Sequence, residues 1–231
     1  MALKDDLTSD VKAIFENPWT QTTGRVVPVP SAVGLGNKAT LLEQAVVLYA
    51  DLDGSTNMVD KMKWQFSAEI YKTFLHCAAK IVKAENGDIT AYDGDRIMAI
   101  FIGDNKHDHA ARAALKMRWA VLNIIQPLMK KTYTTDFEIA HTVGIDVSDL
   151  RAVRTGVRGD NDLVWVGRAA NYAAKLTTLS SDYPTWITKA VYDGLSTSLK
   201  ITDSKPMWEA RSWTPMNKMT IYRSNWRWAI S

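Results

Sequence analysis

Ala45-Val46-Val47-Leu48-Tyr49-Ala50-Asp51-Leu52-Asp53-Gly54-Ser55-Thr56 is the stretch on which the fold turns. Its first six residues are apolar, unbroken and partly β-branched, the pattern of a central strand buried on both faces. The run ends at a carboxylate, Asp51, and Gly54-Ser55-Thr56 opens a helix. Downstream, a helix is expected over about 64–83, with Ile70, Phe74, Cys77 and Ile81 on one face. Asn86-Gly87 marks a turn, and residues 89–101 read as a hairpin turning at Tyr92-Asp93-Gly94-Asp95.

A second helix is predicted from about His107 to Met129, with Ala110, Ala114, Met117, Val121, Ile124 and Leu128 on its buried stripe. Strand signals return in FEIAHTVGIDVS (137–148) and LVWV (163–166), and a third helix, containing AANYAAKL, begins at Gly167-Arg168. Strand, helix, hairpin, helix, strand predicts an α+β fold with a ferredoxin-like βαββαβ core and helices on one face of the sheet. Upstream, residues 5–16 read as a short helix ended by Asn17-Pro18, followed by a Gly- and Pro-rich extended arm. The expected division is therefore 1–40, helix and arm, and 41–231, one catalytic domain; the first part is too short to fold alone.

Composition narrows the function classes. With 46% hydrophobic and 23% charged residues, the 231-residue chain has enough apolar surface for a core. Its net charge of +3 is spread along the sequence, so nothing points to nucleic acid. No window approaches the ~18 apolar residues of a membrane span, and the N-terminal residues lack the apolar core of a signal peptide, which makes the cytoplasm the expected location. The single cysteine, Cys77, excludes an intrachain disulfide or a cysteine-based zinc site. Of nine tryptophans, Trp213, Trp226 and Trp228 sit near the C-terminus and suit a core or an oligomer interface.

Asp51 at a strand end and Asp95 at a hairpin tip are placed by ferredoxin-like pairing next to each other. Paired carboxylates suit Mg²⁺ or Mn²⁺, hard cations that take one or two protein carboxylates plus substrate phosphates, and two such ions could activate a hydroxyl and clamp a triphosphate. Taken singly, Asp51 and Asp53 also read as helix caps, and Asp93 and Asp95 as turn residues. VVLYADLDGST also matches the first motif of haloacid-dehalogenase-type phosphatases, with Asp51 as nucleophile and Asp53 as general acid. That reading requires a parallel doubly wound sheet and a later acidic motif.

With its second half included, the chain resembles class III nucleotide cyclase catalytic domains over residues 45 to about 223. YADLDGST resembles the family's metal-binding strand, YDGDRIMAIF its hairpin, and VGRAANYAAKL the helix bearing its transition-state residues. The resemblance implies that Asp51, Asp95 and the Leu52 carbonyl hold two Mg²⁺ or Mn²⁺ ions. It implies that Asn171 orients the ribose and that Lys175 stands where the family usually has arginine. Lysine is a compact point charge where arginine offers a planar fork, so the exchange is not conservative. Arg168, one turn before Asn171, is a candidate replacement donor, and both cations also read as solvated helix-surface residues. Cyclases of this class form active sites between two catalytic domains, which implies a homodimer with shared sites and a nucleoside triphosphate substrate.

The positions at which purine cyclases of this class read the base are Ala91 and Val164. Neither side chain offers a hydrogen bond. Tyr49 shares a strand face with Asp51 and would narrow the base pocket; Arg96 follows the metal aspartate and could reach a base carbonyl or phosphate. In these features the chain is similar to the pyrimidine cyclases of bacterial Pycsar anti-phage systems, which implies cyclic UMP, ahead of cyclic CMP, as a messenger for a separate effector protein. A packed Tyr49 and a solvent-facing Arg96 are the plainer alternatives. An adenylate cyclase of the same fold and a degenerate, binding-only module are the other readings, and Lys218 is a weak counterpart of the family's triphosphate-binding lysine.

Overall fold

The computed structural model describes residues 2–157 and 159–230. Helix α1 (Leu3–Glu16) and strand β1 (Thr20–Thr23) precede the long central strand β2 (Lys38–Asp53), of which residues 45–51 are the middle. Helices α2 (Ser55–Lys61) and α3 (Trp64–Ala84) lead into the hairpin β3 (Asp88–Asp93) and β4 (Arg96–Phe101). Then come α4 (Lys106–Ala120), a π turn (Val121–Ile125), α5 (Gln126–Thr132), β5 (Ala140–Val157) and β6 (Asp160–Val166). They are followed by α6 (Arg168–Leu176), β7 (Thr185–Thr188) and α7 (Lys189–Gly194). The short strands β8 (Ile201–Thr202) and β9 (Lys205–Pro206) pair with each other, and β10 (Glu209–Trp213) and β11 (Met219–Ser224) join the main sheet.

That sheet runs β10-β11-β7-β5-β2-β4-β3. Its inner block, β5-β2-β4-β3, has the ferredoxin-like order, with every neighbouring pair antiparallel. β7 adds in parallel to β5, β6 extends β5 as a hairpin, and β1 lies parallel to β2 with Thr20 opposite Lys38. β2 therefore begins two residues before the expected domain boundary and already carries part of the arm.

Alternation along β2 divides the core. Val46, Leu48, Ala50 and Leu52 face α3 and α4 in the larger cluster, where Phe74 and Leu115 are fully buried; each such side chain contributes about 1.5–3 kcal/mol. Ala45 and Val47 face the other way, toward α6. Helices thus cover both faces, a departure from the one-faced plan expected. α6 is an alanine-rich helix, and Ala169, Ala170 and Ala173 let it sit almost on the sheet. Gly144 of β5 is required there, because a Cβ would fall 2.1 Å from the Ala173 carbonyl oxygen.

The second predicted helix is nearly continuous, but its stripe shifts. Ala110, Ala114, Met117 and Val121 are buried as expected, whereas Ile124 and Leu128 are 37% and 58% exposed. The intervening π turn inserts one residue, rotating the following face by about 100° and bringing Ile125 and Met129 inward instead. Pro127, which has no N–H and clashes with the carbonyl four residues before it, makes a regular ladder impossible there. Cys77, expected on the buried face of α3, is half-buried, and Ala78 takes the fully buried place. Among the described residues no helix is long and apolar enough to cross a membrane.

Candidate active site

Asp51 and Asp95 converge because β2 and β4 pair with Ala50 opposite Ile97, so the residues just before Ile97 come level with Asp51 and Leu52. The turn between β3 and β4 is tight, with Gly94 at φ 60°, and it delivers Asp95 directly to the sheet. Burial raises the Asp51 pKa to about 6, and the negative charge of Asp95 is the next contribution in the same direction. The Asp95 Oδ2 atom is buried and has no hydrogen-bond partner among the described residues. Two mutually repelling carboxylates, one with an orphaned oxygen, fit a divalent cation completed by carbonyl, water and phosphate oxygens. No group of three or more His, Cys, Asp and Glu side chains gathers elsewhere as a metal cage among the described residues.

Tyr49 and Arg96 lie beside this pair. The Arg96 guanidinium carbon is 5.4 Å from the centroid of the Tyr49 ring, and its Nη2 donates to Asp93 Oδ2 at 2.7 Å. Its buried Nε has no partner among the described residues. Burial also pushes the Tyr49 hydroxyl above its usual pKa, so the ring presents a neutral donor. Leu52 turns its side chain into the main core.

The remaining predicted residues are distributed over other elements. Asn171 and Lys175 are exposed, four residues apart on the outer side of α6. Lys175 Nζ lies 3.9 Å from Met216 Sδ, and no hydrogen bond or ion pair joins either residue to Asp51 or Asp95 among the described residues. Ala91 is exposed on β3, opposite Met98. Val164, 42% exposed on β6, pairs with Val153, whereas Asp51 pairs with Thr142. Eleven strand residues separate those two points of β5, roughly 35 Å at about 3.3 Å per residue, so one chain cannot bring Val164 to Asp51. Lys218 is exposed in the turn before β11 and its backbone N–H donates to Trp213 O.

Arg168 is turned inward rather than toward the carboxylate pair. Its Nε is 3.0 Å from Asp146 Oδ2, its Nη2 donates to Val147 O at 2.7 Å, and its guanidinium carbon is 5.4 Å from the centroid of the Tyr172 ring. Ser148 Oγ accepts the Ala169 N–H at 3.0 Å, satisfying a donor of the first turn of α6. Asp146 and Ser148 thus anchor the helix that carries Asn171 and Lys175. Sequence reasoning missed both, although Asp146 and Ser148 alternating with Val143, Ile145 and Val147 were the available signal.

The phosphatase reading does not survive the sheet. β2 is flanked on both sides by antiparallel strands, not by the parallel neighbours of a doubly wound fold. Asp53, its required general acid, accepts a hydrogen bond from Ser181 Oγ at 2.5 Å.

No family model matches the chain. The chain is 53% identical over 232 residues to a uridylate cyclase of Xanthomonas perforans and 54% identical over 231 residues to one of Burkholderia cepacia, each covering 100% of both chains. Among solved structures, a dimeric guanylyl cyclase domain of a fusion protein from the aquatic fungus Blastocladiella emersonii superposes with a TM-score of 0.63. The match is at 14% identity and covers 81% of this chain and 99% of that one. Identity above one half along the full length, on a cyclase fold, means that the chain is a nucleotide cyclase and belongs to the uridylate cyclase family.

Proposed function

We propose that the chain converts UTP, with CTP a poorer substrate, into the 3′,5′-cyclic monophosphate and pyrophosphate, in a homodimer whose active sites are shared between subunits. The observation that carries this reading is the orphaned Asp95 Oδ2 beside the raised carboxyl of Asp51. Asp51, Asp95 and the Leu52 carbonyl would hold two Mg²⁺ or Mn²⁺ ions, whose chemistry is to acidify the ribose 3′-hydroxyl and offset the triphosphate charge. The 3′-oxygen then attacks the α-phosphorus in line, the new P–O bond forms as the bond to pyrophosphate breaks, and the hydroxyl proton leaves to solvent.

Asn171 and Lys175 of the partner protomer supply the other half of the site. Asn171 hydrogen-bonds the ribose and Lys175 places a positive charge on the pentavalent phosphorus. The long separation of Val164 from Asp51 within a chain favours this division, since a head-to-tail pair can join opposite ends of two sheets. Arg168 acts as a positioning residue for α6 in this reading.

Base choice rests on Tyr49, Arg96, Ala91 and Val164. Ala91 and Val164 have no group with which to read a purine edge, whereas the free Nε of Arg96 is a donor suited to a uracil carbonyl. The product serves as a second messenger read by a separate effector in anti-phage defence.

Incubating the protein with Mn²⁺ and each of the four ribonucleoside triphosphates, with pyrophosphate and cyclic product quantified, tests the assignment. Cyclic UMP as the dominant product is expected. A preference for ATP or GTP would refute the pyrimidine reading, and loss of product in neither Asp51→Ala nor Asp95→Ala would refute the metal assignment.

A further inference from the structure

α1 is tied down at one end and unpacked along its length. Asn37 Nδ2 donates to Ile14 O at 2.8 Å and to Asn17 O at 2.6 Å, yet no residue of the helix is buried. Leu3, Leu7, Val11 and Ile14 are 73%, 54%, 49% and 55% exposed and recur at helical spacing on one face. A 14-residue helix is marginal in water without a packed face. The stripe therefore calls for a cover.

The chain carries an apolar groove of matching size. Between α3 and the π turn with α5 lies a hollow of 380 Å³ lined by Ile70, Cys77, Ile124, Leu128 and Met129. Cys77 and Ile124 continue it into a second hollow that runs to Ala84 and Ile89. The π turn is what exposes Ile124 and Leu128 to it. From Glu69 to Ala84 the groove follows α3 for sixteen residues, about 24 Å, against about 21 Å for α1.

Charge agrees with the fit. α1 bears four acids, Asp5, Asp6, Asp10 and Glu16, against Lys4 and Lys12, and Asp6 and Asp10 border the apolar stripe. The groove is edged by Lys72 and Lys80, neither of which has an ion-pair partner among the described residues, and the acid that lines it, Glu69, accepts a hydrogen bond from the Tyr133 hydroxyl. The tether makes the chain's own groove a poor candidate. β1 pairs with Lys38–Leu41 and holds α1 beyond that end of β2, about 25 Å along the strand from Val46, where the α3–α4 core begins.

We propose that α1 of each protomer lies in the α3/α4–α5 groove of a second copy of this chain. The exchange adds an interface distinct from the shared catalytic cleft and does not depend on which triphosphate is cyclised.

Cys77, the single cysteine, sits at the centre of the groove and gives a direct test. Full-length Leu7→Cys and Val11→Cys proteins, mildly oxidised and run on non-reducing gels, should shift to a band of twice the chain mass. Ser9→Cys, on the opposite face of α1, should not shift, and adding Cys77→Ser should abolish the band. Three results overturn the proposal: linkage no greater than for Ser9→Cys, a linked dimer that survives Cys77→Ser and so reports α1 against α1, or an internal disulfide that leaves the chain monomeric.

Discussion

The Arg168 guanidinium rests on the carboxylate of Asp146, which is fully buried and accepts a further hydrogen bond of 2.6 Å from Thr188 Oγ1. One ion pair thereby fastens β5, β7 and the first turn of α6. Removing only the arginine would leave a buried charge with a single hydroxyl donor, and such loss costs about 2–4 kcal/mol after allowance for the exposed side of Arg168. Arg168→Ala should therefore lower the urea midpoint and cut turnover together, while Arg168→Ala/Asp146→Leu should recover much of the stability. Activity lost at an unchanged midpoint would mean that the guanidinium acts on substrate instead.

On the proposed metal assignment, function and stability oppose each other at Asp51. Its folded pKa of about 6 lies above the ordinary 3.8, so the fold disfavours the ionised form. The destabilisation is absent below pH 4, grows between pH 4 and 6, and is complete above. The full shift corresponds to about 3 kcal/mol, and solvent screening of this half-exposed carboxyl brings it to about 1 kcal/mol. Asp51→Asn should thus abolish cyclisation yet raise the metal-free melting temperature at pH 7, with no gain at pH 4. Lower stability at pH 7 would contradict the electrostatic account.

The central strand, the hairpin and the α3 stripe were readable because burial on a regular element leaves a period in the sequence. The π turn left none, since it is a backbone response to Pro127 that shows only as Ile124 and Leu128 changing face. The edge strand β10 was equally hard to see, since its sequence (EARSW) is mostly exposed and does not alternate. Asp51 and Asp95 were legible because a strand end and a hairpin tip are local features. Asp146 was not, because its partner lies 22 residues further along and only packing joins them.

His141 should make the fold acid-labile. Its ring is fully buried, 5.5 Å from that of Phe74, with both nitrogens unpartnered among the described residues. Burial, followed by the nearby Arg118 cation, depresses its pKa from 6.5 to about 3. The unfolded chain binds this proton below pH 6.5 and the folded chain does not, so stability falls as pH drops from 6.5 toward 3, by about 2–3 kcal/mol at pH 4.5. His141→Leu should flatten that part of the stability profile measured by urea denaturation at pH 7 and 4.5. An unchanged slope would assign the acid sensitivity to other groups.

Shared sites predict complementation. Asp95→Ala destroys the carboxylate half and Asn171→Ala the α6 half, so either variant alone should be inactive. Mixed in equal amounts and allowed to exchange, half of the dimers carry one copy of each, and each such dimer has one site with both halves intact and one with neither. Recovery of about a quarter of the unmutated activity is therefore expected on symmetry grounds. If both halves belonged to one chain, no mixture would exceed the activity of its components. Recovery that depends on Asp95 and Asn171 lying on different protomers would also separate catalytic pairing from the α1 exchange, which leaves both residues untouched.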